Sequence, residues 1–404
     1  MQTNSNPELL RKVTFLTGNP DDILNISHTP AKKPFDCDVV DFLNDVSGVL
    51  MKNKAVRQYS DIITFAFWIR KASISRQREY FIQHDGTYKT GRGAAFHIAP
   101  SNVPVNFAYS LAAGLLSGNI NIVRVPSKDF EQVSIIANAF NAVLKNHPDL
   151  KPYIFLVRYG RDREINDLFS SVADIRVVWG GDATIAELRK SPLPPRSIEL
   201  TFADRYSIAV IDSDSYLTIE NKGKTAEDFY NDTFLSDQNA CTSPRIVVWT
   251  GEHIEEAKNI FWNEEHKVVE RKYNFKAIQA VNKLTGTYLA AIAVPGCKVE
   301  THRDNRIVRI NVPEVNALLM DYKGNSGFFF EYDCKDIIEL KDLCDDKRCQ
   351  TIAYIGESAK LLPLLQSGVK GIDRIVPIGK TMDFDLIWDG YDFIGMMSRT
   401  VSFR

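Results

Sequence analysis

Residues 94–126 read AAFHIAPSNVPVNFAYSLAAGLLSGNINIVRVP, and this stretch decides the fold. Ala94 to Ala99 is a short apolar strand. Pro104 to Ser117 follows as an apolar helix closed by Gly118, a residue suited to ending helices, and Ile120 to Val125 is a second strand. Strand, helix and strand in about 30 residues make a βαβ unit.

The alternation continues downstream. Lys128 to Lys145 places Phe130, Val133, Ala137, Phe140 and Leu144 on one helical face, and Tyr153 to Arg158 is a strand. In Glu164 to Ala173, Ile165, Leu168, Phe169 and Val172 take the spacing of a one-sided helix. Ile175 to Trp179, a helix after Asp182, and Tyr206 to Ile211 extend the series. The strand starts at 94, 120, 153, 175 and 206 keep βαβ spacing, so the fold class is α/β, a doubly wound parallel sheet with helices on both faces. Such sheets bind ligands beyond the C-terminal ends of their strands. Pro100, Ser101 and Asn102, then Arg124, then Gly180 and Gly181 end or follow strands and fall on that edge. Ordinary strand-to-helix turns are the plainer reading of the same residues.

Upstream, residues 1 to about 85 are mostly helical in pattern, with turns at Asn19-Pro20 and Thr29-Pro30. Downstream, Pro192, Pro194 and Pro195 read as a rigid connector. A new helix from about Thr225, the Cys241 segment and the β-rich run Arg245 to Trp249 then open a second α/β domain. The expected divisions are 1–222, 223–370 and a C-terminal segment 371–404.

With 44% hydrophobic and 25% charged residues at a formal net charge of −2, the chain is globular and lacks the clustered Lys/Arg excess of a nucleic-acid binder. No apolar run reaches the roughly 18 residues of a membrane span, so none is expected. The longest runs, Phe107 to Leu116 and Leu289 to Pro295, read as buried core. Met1 to Asn6 lacks the pattern of a secretory signal, which makes a cytoplasmic location the expectation. The six cysteines form no Cys-x-x-Cys pair and read as free thiols, with no metal site. Gly91-Arg92-Gly93 leads into a strand rather than a helix, so it is not a dinucleotide fingerprint.

One segment stands apart, Asp237-Gln238-Asn239-Ala240-Cys241-Thr242-Ser243-Pro244. A helix ends near Gln238, small and polar residues surround the cysteine, and Pro244 leads into a strand. The thiol therefore sits on a constrained turn, where it is either a nucleophile or a buried structural thiol. No His or Lys adjoins it, so an activating charge has to come from elsewhere in the fold.

These segments carry a resemblance. His97 to Pro104 resembles the Pro-Trp-Asn-x-Pro segment of aldehyde dehydrogenases, and Gly118-Asn119 and the strand ending Ile122 to Ser127 follow it as in that superfamily. Ile198-Glu199-Leu200 is similar to its Glu-Leu-Gly-Gly block, with Thr201-Phe202 in place of the glycines, and Gln238 to Cys241 is similar to its Gly-Gln-x-Cys motif. Within the superfamily the chain most resembles the LuxC-type fatty acyl-CoA reductases. The residues that carry this are Asn102-Val103-Pro104, Leu115 to Asn119, Asp237-Gln238 with Ala240-Cys241, Gln350 to Gly356, and Arg374 to Pro377 through Trp388 to Asp392.

The resemblance implies an aldehyde dehydrogenase-like fold with a cofactor domain, a catalytic domain carrying Cys241, and a C-terminal segment returning to the active-site region. It implies reduction of an acyl-CoA to an aldehyde through a Cys241 thioester, with the Asn102 amide and the Cys241 backbone N–H on the oxyanion. Glu199 stands where hydrolytic relatives place their water-activating carboxylate; in a reductase it would orient the nicotinamide or help protonate the departing thiolate. Pro100, Ser101, Arg124, Ser127, Gly180 and Gly181 fall at cofactor positions. Arg124 replaces a lysine near the adenosine ribose and, with Lys128, favours NADPH, NADH being the alternative. An acyl-activating or acyl-transferring partner protein is implied, and a homo-oligomer is left open. The competing readings are a hydrolytic aldehyde dehydrogenase with Glu199 as base and a non-catalytic subunit of the same fold.

Overall fold

The computed structural model describes residues 7–81, 87–301 and 304–402. The chain divides into two compact units, one of residues 1–203 with 385–404 and one of residues 204–384.

The first unit contains β1 (Thr14–Thr17), β2 (Thr87–Gly91), β3 (Ala94–Ile98), β4 (Ile120–Arg124), β5 (Ile154–Arg158), β6 (Ile175–Trp179) and β7 (Ile198–Phe202). Among its helices are α1 (Cys37–Lys52), α2 (Asn106–Leu116), α3 (Glu131–Leu144), α4 (Arg163–Ser171) and α5 (Asp182–Leu188). The sheet order is β1-β5-β4-β3-β6-β7, parallel throughout except for β1, which runs antiparallel to β5. From β3 the chain builds outward through β4 and β5 on one side, then returns to add β6 and β7 on the other. The crevice at this reversal, between β3 and β6, is where doubly wound sheets receive ligands. β2 pairs antiparallel with the strand Ser398–Ser402.

Local chemistry explains the elements. Every residue of β3 is buried, and so is most of α2, as expected for Phe107 to Leu116. Asp162 caps α4 by accepting from the N–H groups of Glu164 and Ile165 at 2.9 and 3.3 Å. One expectation fails here, since Tyr206 to Ile211 does not extend this sheet. β7 takes that place, its side chains Leu200 and Phe202 turned into the core, and the proline-rich connector before it hides a strand with the same βαβ spacing.

The second unit contains β8 (Tyr206–Asp212), β9 (Pro244–Thr250), β10 (Lys298–Thr301), β11 (Val308–Asn311), β12 (Phe328–Asp333), β13 (Cys349–Ile355) and β14 (Arg374–Pro377). They are ordered β10-β11-β12-β9-β8-β13-β14, parallel except for β10 against β11. Helices α6 (Lys222–Asp232), α7 (Ile254–Lys272) and α8 (Ala277–Ala293) belong to this unit. One face of the sheet is covered by an aromatic core of Tyr216, Phe229, Phe261 and Trp262. On the other face Phe328, Phe330 and Cys349 of the strands pack with Leu343 and the Cys344 thiol.

A second expectation fails in α8. Leu289 is 56% and Ile292 83% exposed, so the run Leu289 to Pro295 is not core. The helix buries Lys283, Thr287 and Ala290 on one face and carries apolar side chains on the other as well. Among the described residues no helix is long and apolar enough to cross a membrane.

Candidate active site

Asn102 and Glu199 belong to the first unit and Cys241 to the second. In the second unit, α6 ends at Asp232, a short 3-10 turn covers Phe234–Ser236, and the chain then takes two consecutive left-handed residues, Asp237 (φ 52°) and Gln238 (φ 51°). Left-handed backbone costs an ordinary residue about 1–2 kcal/mol, so something must hold this corner.

Two side chains hold it. The Asp237 carboxylate accepts from the Tyr273 hydroxyl, from Ser326 Oγ at 2.7 Å and from Gln279 Nε2 at 3.1 Å. Gln238 is fully buried, and its Oε1 accepts from the N–H groups of Gly327 and Phe328 at 2.8 and 3.2 Å. Its Nε2 donates to the carbonyls of Phe328 and Pro244 at 3.1 and 3.3 Å. Gly327 has φ +87°, and a Cβ there would collide with the Arg306 carbonyl and the Phe234 ring, so only glycine fits at this position. Gln238 thus ties the start of the cysteine loop to both β9 and β12.

Cys241 follows on this tethered loop with its side chain half-exposed. Its carbonyl accepts from Ser207 Oγ at 2.8 Å, and Ser243 Oγ meets Ser236 Oγ at 3.0 Å. Arg245, the second residue of β9, is buried beneath the loop. Its Nη1 donates to the Gly324 carbonyl at 2.5 Å and Asn325 Oδ1 at 2.9 Å, and its Nη2 donates to the Gln238 carbonyl. Burial lowers the Arg245 pKa to about 10, opposed by the negative charges available at Cys241 and Asp237. The guanidinium remains a cation at neutral pH and interacts electrostatically with Cys241. No His or Lys adjoins the thiol in sequence, and the nearby cation is this arginine, four residues on. The available signal was a single cation opening an otherwise apolar strand, Ile246-Val247-Val248-Trp249.

In the first unit, Pro100, Ser101 and Asn102 form the loop after β3, with Ser101 and Asn102 exposed. Gly180 and Gly181 follow β6, so these two loops flank the β3/β6 crevice. The Gly180 N–H donates to the Phe202 carbonyl at 3.1 Å and is therefore committed. Gly181 is the N-cap of α5. Arg124 ends β4 and is half-buried, its Nη2 donating to the Tyr159 and Gly160 carbonyls at 3.3 and 2.9 Å while its plane lies over the Tyr159 ring at 4.5 Å. Ser127 is exposed on the loop after β4.

His97 of β3 is wholly buried. Its Nε2–H donates to Asn121 Oδ1 at 3.1 Å, and its Nδ1 accepts from the Ser110 hydroxyl at 2.8 Å. Ser110 in turn accepts from Trp179 Nε1 at 3.0 Å. Burial lowers the His97 pKa to about 4, so the ring is neutral. Trp179 stacks on Phe202, ring centroids 3.7 Å apart, with Phe393 and Tyr391 packed beyond, so the aromatic residue at the Gly-Gly position is part of a buried stack.

Glu199 is placed differently from the other site candidates. It is the second residue of β7, directly beside Arg176 of β6, roughly 10 Å of strand back from the C-terminal edge. Its Oε2 accepts from Arg176 Nε and Nη2 at 2.7 and 2.5 Å, and its Oε1 from Arg189 Nε at 2.7 Å. Arg176, its side chain only 3% exposed, also donates to the Leu188 and Ser191 carbonyls and to Ser170 Oγ. Both carboxylate oxygens are thereby engaged, away from the strand end where Asn102, Arg124 and Gly180 stand.

Comparison with known proteins agrees with this architecture. The family described as acyl-CoA reductase (LuxC) matches residues 74–269. The long-chain acyl-protein thioester reductase of Photorhabdus luminescens is 24% identical over 323 residues, 77% of this chain and 63% of the relative. The protein of the same description from Vibrio harveyi is 29% identical over 169 residues, 41% of this chain and 34% of the relative. The chain thus spans less than two thirds of the length of these relatives. Among solved structures, aldehyde dehydrogenase 21 of Physcomitrella patens, in complex with succinate, superposes with a TM-score of 0.68 at 12% identity, covering 94% of this chain and 88% of that one. The chain is therefore LuxC-like in sequence through the region that carries Asn102, Glu199 and Cys241, and it has the aldehyde dehydrogenase fold.

Proposed function

We propose that this protein reduces a long-chain acyl thioester, acyl-CoA or acyl-protein, to the aldehyde through an acyl-enzyme on Cys241. The observation that carries the reading is the construction around Cys241, a half-exposed thiol on a doubly tethered loop whose Gln238 carbonyl is held by the buried Arg245 guanidinium. A fixed cation near a thiol favours the thiolate, which is the nucleophile. The thiolate attacks the thioester carbonyl carbon, and the oxyanion is met by the Cys241 N–H and, in the role the resemblance assigns, the Asn102 amide. The carbonyl re-forms, the substrate's C–S bond breaks, and its thiol leaves with a proton. A bound reduced nicotinamide would supply the hydride that takes the acyl-enzyme to the aldehyde level. Collapse of the resulting hemithioacetal releases the aldehyde and restores the thiolate.

The first unit fits such a cofactor in part. Ser101, Ser127 and the unengaged edge of Arg124 stand at the C-terminal ends of the adjacent strands β3 and β4, and both hydrogen bonds found for Arg124 use Nη2. These would hold the ribose and a 2′-phosphate, which favours NADPH. The Gly180 N–H is already bonded and contributes nothing to a phosphate. The ion pairs of Glu199 support reduction over hydrolysis, because a carboxylate held on both oxygens by arginines is a poor general base.

The test is intact-mass analysis after mixing the protein with palmitoyl-CoA. One acyl adduct, mapped to Cys241 and discharged as aldehyde by NADPH, is the expected result. Cys241→Ala should form no adduct and lose several powers of ten in turnover. Reduction by the alanine variant at an appreciable fraction of the wild-type rate would overturn the proposal.

A further inference from the structure

The parallel sheet of the second unit also reverses its direction of growth, between β8 and β13. From β8 the chain builds outward to β9 and then β12 on one side, and returns to lay β13 and β14 on the other. The segments that leave β8 and β13 go to opposite faces. Tyr216, just after β8, enters the aromatic core, whereas Leu361 and Leu364, just after β13, join the cluster on the other face. Strand ends whose crossovers part in this way leave a crevice between them, the place where open α/β sheets take ligands. A cavity of about 240 Å³ lies there, lined by Asp212, Thr250 and Ile355, the last residues of β8, β9 and β13. Cys241 precedes β9 and stands at the other edge of this sheet, and the strand between them spans roughly 20 Å. The cavity is therefore separate from the proposed acylation site.

We propose that this cavity binds a small zwitterion with an apolar body, of the class of an apolar α-amino acid. Three observations define the ligand. The first is charge. Asp212 is already paired with Lys360 at 2.7 Å and accepts from the Ser215 N–H at 2.8 Å. Asp214 is paired with His253 at 2.5 Å and accepts from the Glu252 N–H at 3.0 Å. That leaves one cation and one anion on the lining, Lys335 and Glu357, with no bonded partner among the described residues. A ligand of single charge would satisfy one of them and be repelled by the other. A zwitterion satisfies both, its carboxylate on Lys335 and its ammonium on Glu357. The second is the character of the walls. Val210, Ile337, Ile355 and Leu361 are apolar, and the hydroxyls of Thr250 and Tyr354 are uncommitted among the described residues. A few polar groups on an apolar lining is the usual make-up of a small-molecule site. The third is size. At roughly 30 Å³ for each water-sized group, the cavity holds about eight non-hydrogen atoms, the size of valine or leucine. It is far too small for a long acyl chain or a dinucleotide.

This site does not rest on the reading of Cys241, so wild type and Cys241→Ala both serve in its test. Isothermal titration of each full chain with L-leucine should show one equivalent bound, with the same affinity in both. Isoamylamine lacks the carboxylate, 4-methylpentanoate lacks the ammonium, and glycine lacks the apolar body. Each should bind at least about tenfold more weakly than leucine. Lys335→Met and Glu357→Gln alter exposed side chains. Each should weaken leucine binding by about tenfold or more, while the melting temperature and the acylation by palmitoyl-CoA stay as in wild type. No binding of leucine up to about 10 mM overturns the proposal, as does binding that neither variant weakens. A singly charged analogue that binds as tightly as leucine overturns the zwitterion. Leucine binding that is lost in Cys241→Ala belongs to the other edge of the sheet and overturns the site.

Discussion

Glu199→Gln separates a structural carboxylate from a catalytic one. Glutamine keeps one acceptor oxygen but replaces the other with an NH₂ group, which then faces the donors of Arg176 or Arg189. Arg176 is buried and keeps three further bonds, to Leu188, Ser191 and Ser170, but loses its counter-charge. Breaking a buried ion pair from one side costs about 3–5 kcal/mol. Glu199 retains 14% of its side-chain exposure and the variant retains one acceptor, so screening and partial replacement bring the expected loss to ~2–3 kcal/mol. For a unit of this size that is a fall of roughly 5–10 °C in its melting transition. Calorimetry reads the transition, and NADPH consumption with palmitoyl-CoA, taken well below it, reads turnover. The expected variant melts earlier and reduces acyl-CoA within about threefold of wild type. A carboxylate acting as general base gives the opposite result, an unchanged transition with turnover down by about 10²–10⁴. That outcome would refute the structural assignment and give Glu199 a catalytic part in the reduction itself. Arg189→Ala is the control, because its side chain is 59% exposed and its loss should cost no more than about 1 kcal/mol.

Other perturbations address other parts of the molecule. Arg245→Met removes the buried cation near Cys241 and should move the pH profile of iodoacetamide alkylation at that thiol to higher pH, with the rate at neutral pH down by about tenfold, while Arg245→Lys recovers part of the loss; an unmoved profile separates the guanidinium from the thiol's reactivity. Arg124→Ala should raise the KM for NADPH far more than that for NADH, measured side by side, and equal changes would mean that no 2′-phosphate is recognised there. His97, held near pKa 4 against a reference near 6.5, binds its proton in the unfolded chain first. Stability is therefore unaffected above about pH 6.5, falls as the pH drops below that value, and has lost ~3 kcal/mol by about pH 4. Urea unfolding of wild type and His97→Gln at pH 7 and pH 5 checks this, since a parallel pH dependence in both proteins would clear the histidine.

The parts of this structure that could be read from sequence are those fixed locally. β3, α2 and β4 are buried on nearly every residue, so their apolar runs and the Gly118 stop left little choice. What escaped was decided by contacts between distant segments. β7 was hidden by the prolines before it, and it became a strand because β6 offers it a parallel partner in register from Ile175 to Trp179. The Arg176–Glu199 pair joins residues 23 positions apart, and only that register makes them neighbours. α8 was misread for a related reason. An apolar run signals burial somewhere but does not say by what, and here the chain covers one side of the helix only. The cysteine turn was visible as an unusual segment, yet its rigidity depends on Phe328, Gly327 and Tyr273, which no local reading could connect to Asp237 and Gln238.

The resemblance to aldehyde dehydrogenases assigns Cys241 to covalent catalysis and Glu199 to water activation, and their surroundings pull in opposite directions. Around Cys241 the fold fixes the backbone and leaves the side chain half-exposed, the arrangement a nucleophile needs if it is to be presented without reorganisation. Around Glu199 it fixes the side chain itself, and the agent is a neighbouring-strand arginine that brings three more hydrogen bonds of its own. Freeing the carboxylate would leave Arg176 buried without its counter-charge, so the ion pair holds the glutamate in place more firmly than a hydrogen bond to a neutral donor could. An enzyme that must keep its thioester intact until hydride arrives gains from such a restraint, because each activated water is a lost acyl group. In the proposed reduction the glutamate need not be deleted, because an arginine on the adjacent strand, in register, already holds it, and Arg176 places Nη1 on the Leu188 and Ser191 carbonyls and Ser170 Oγ.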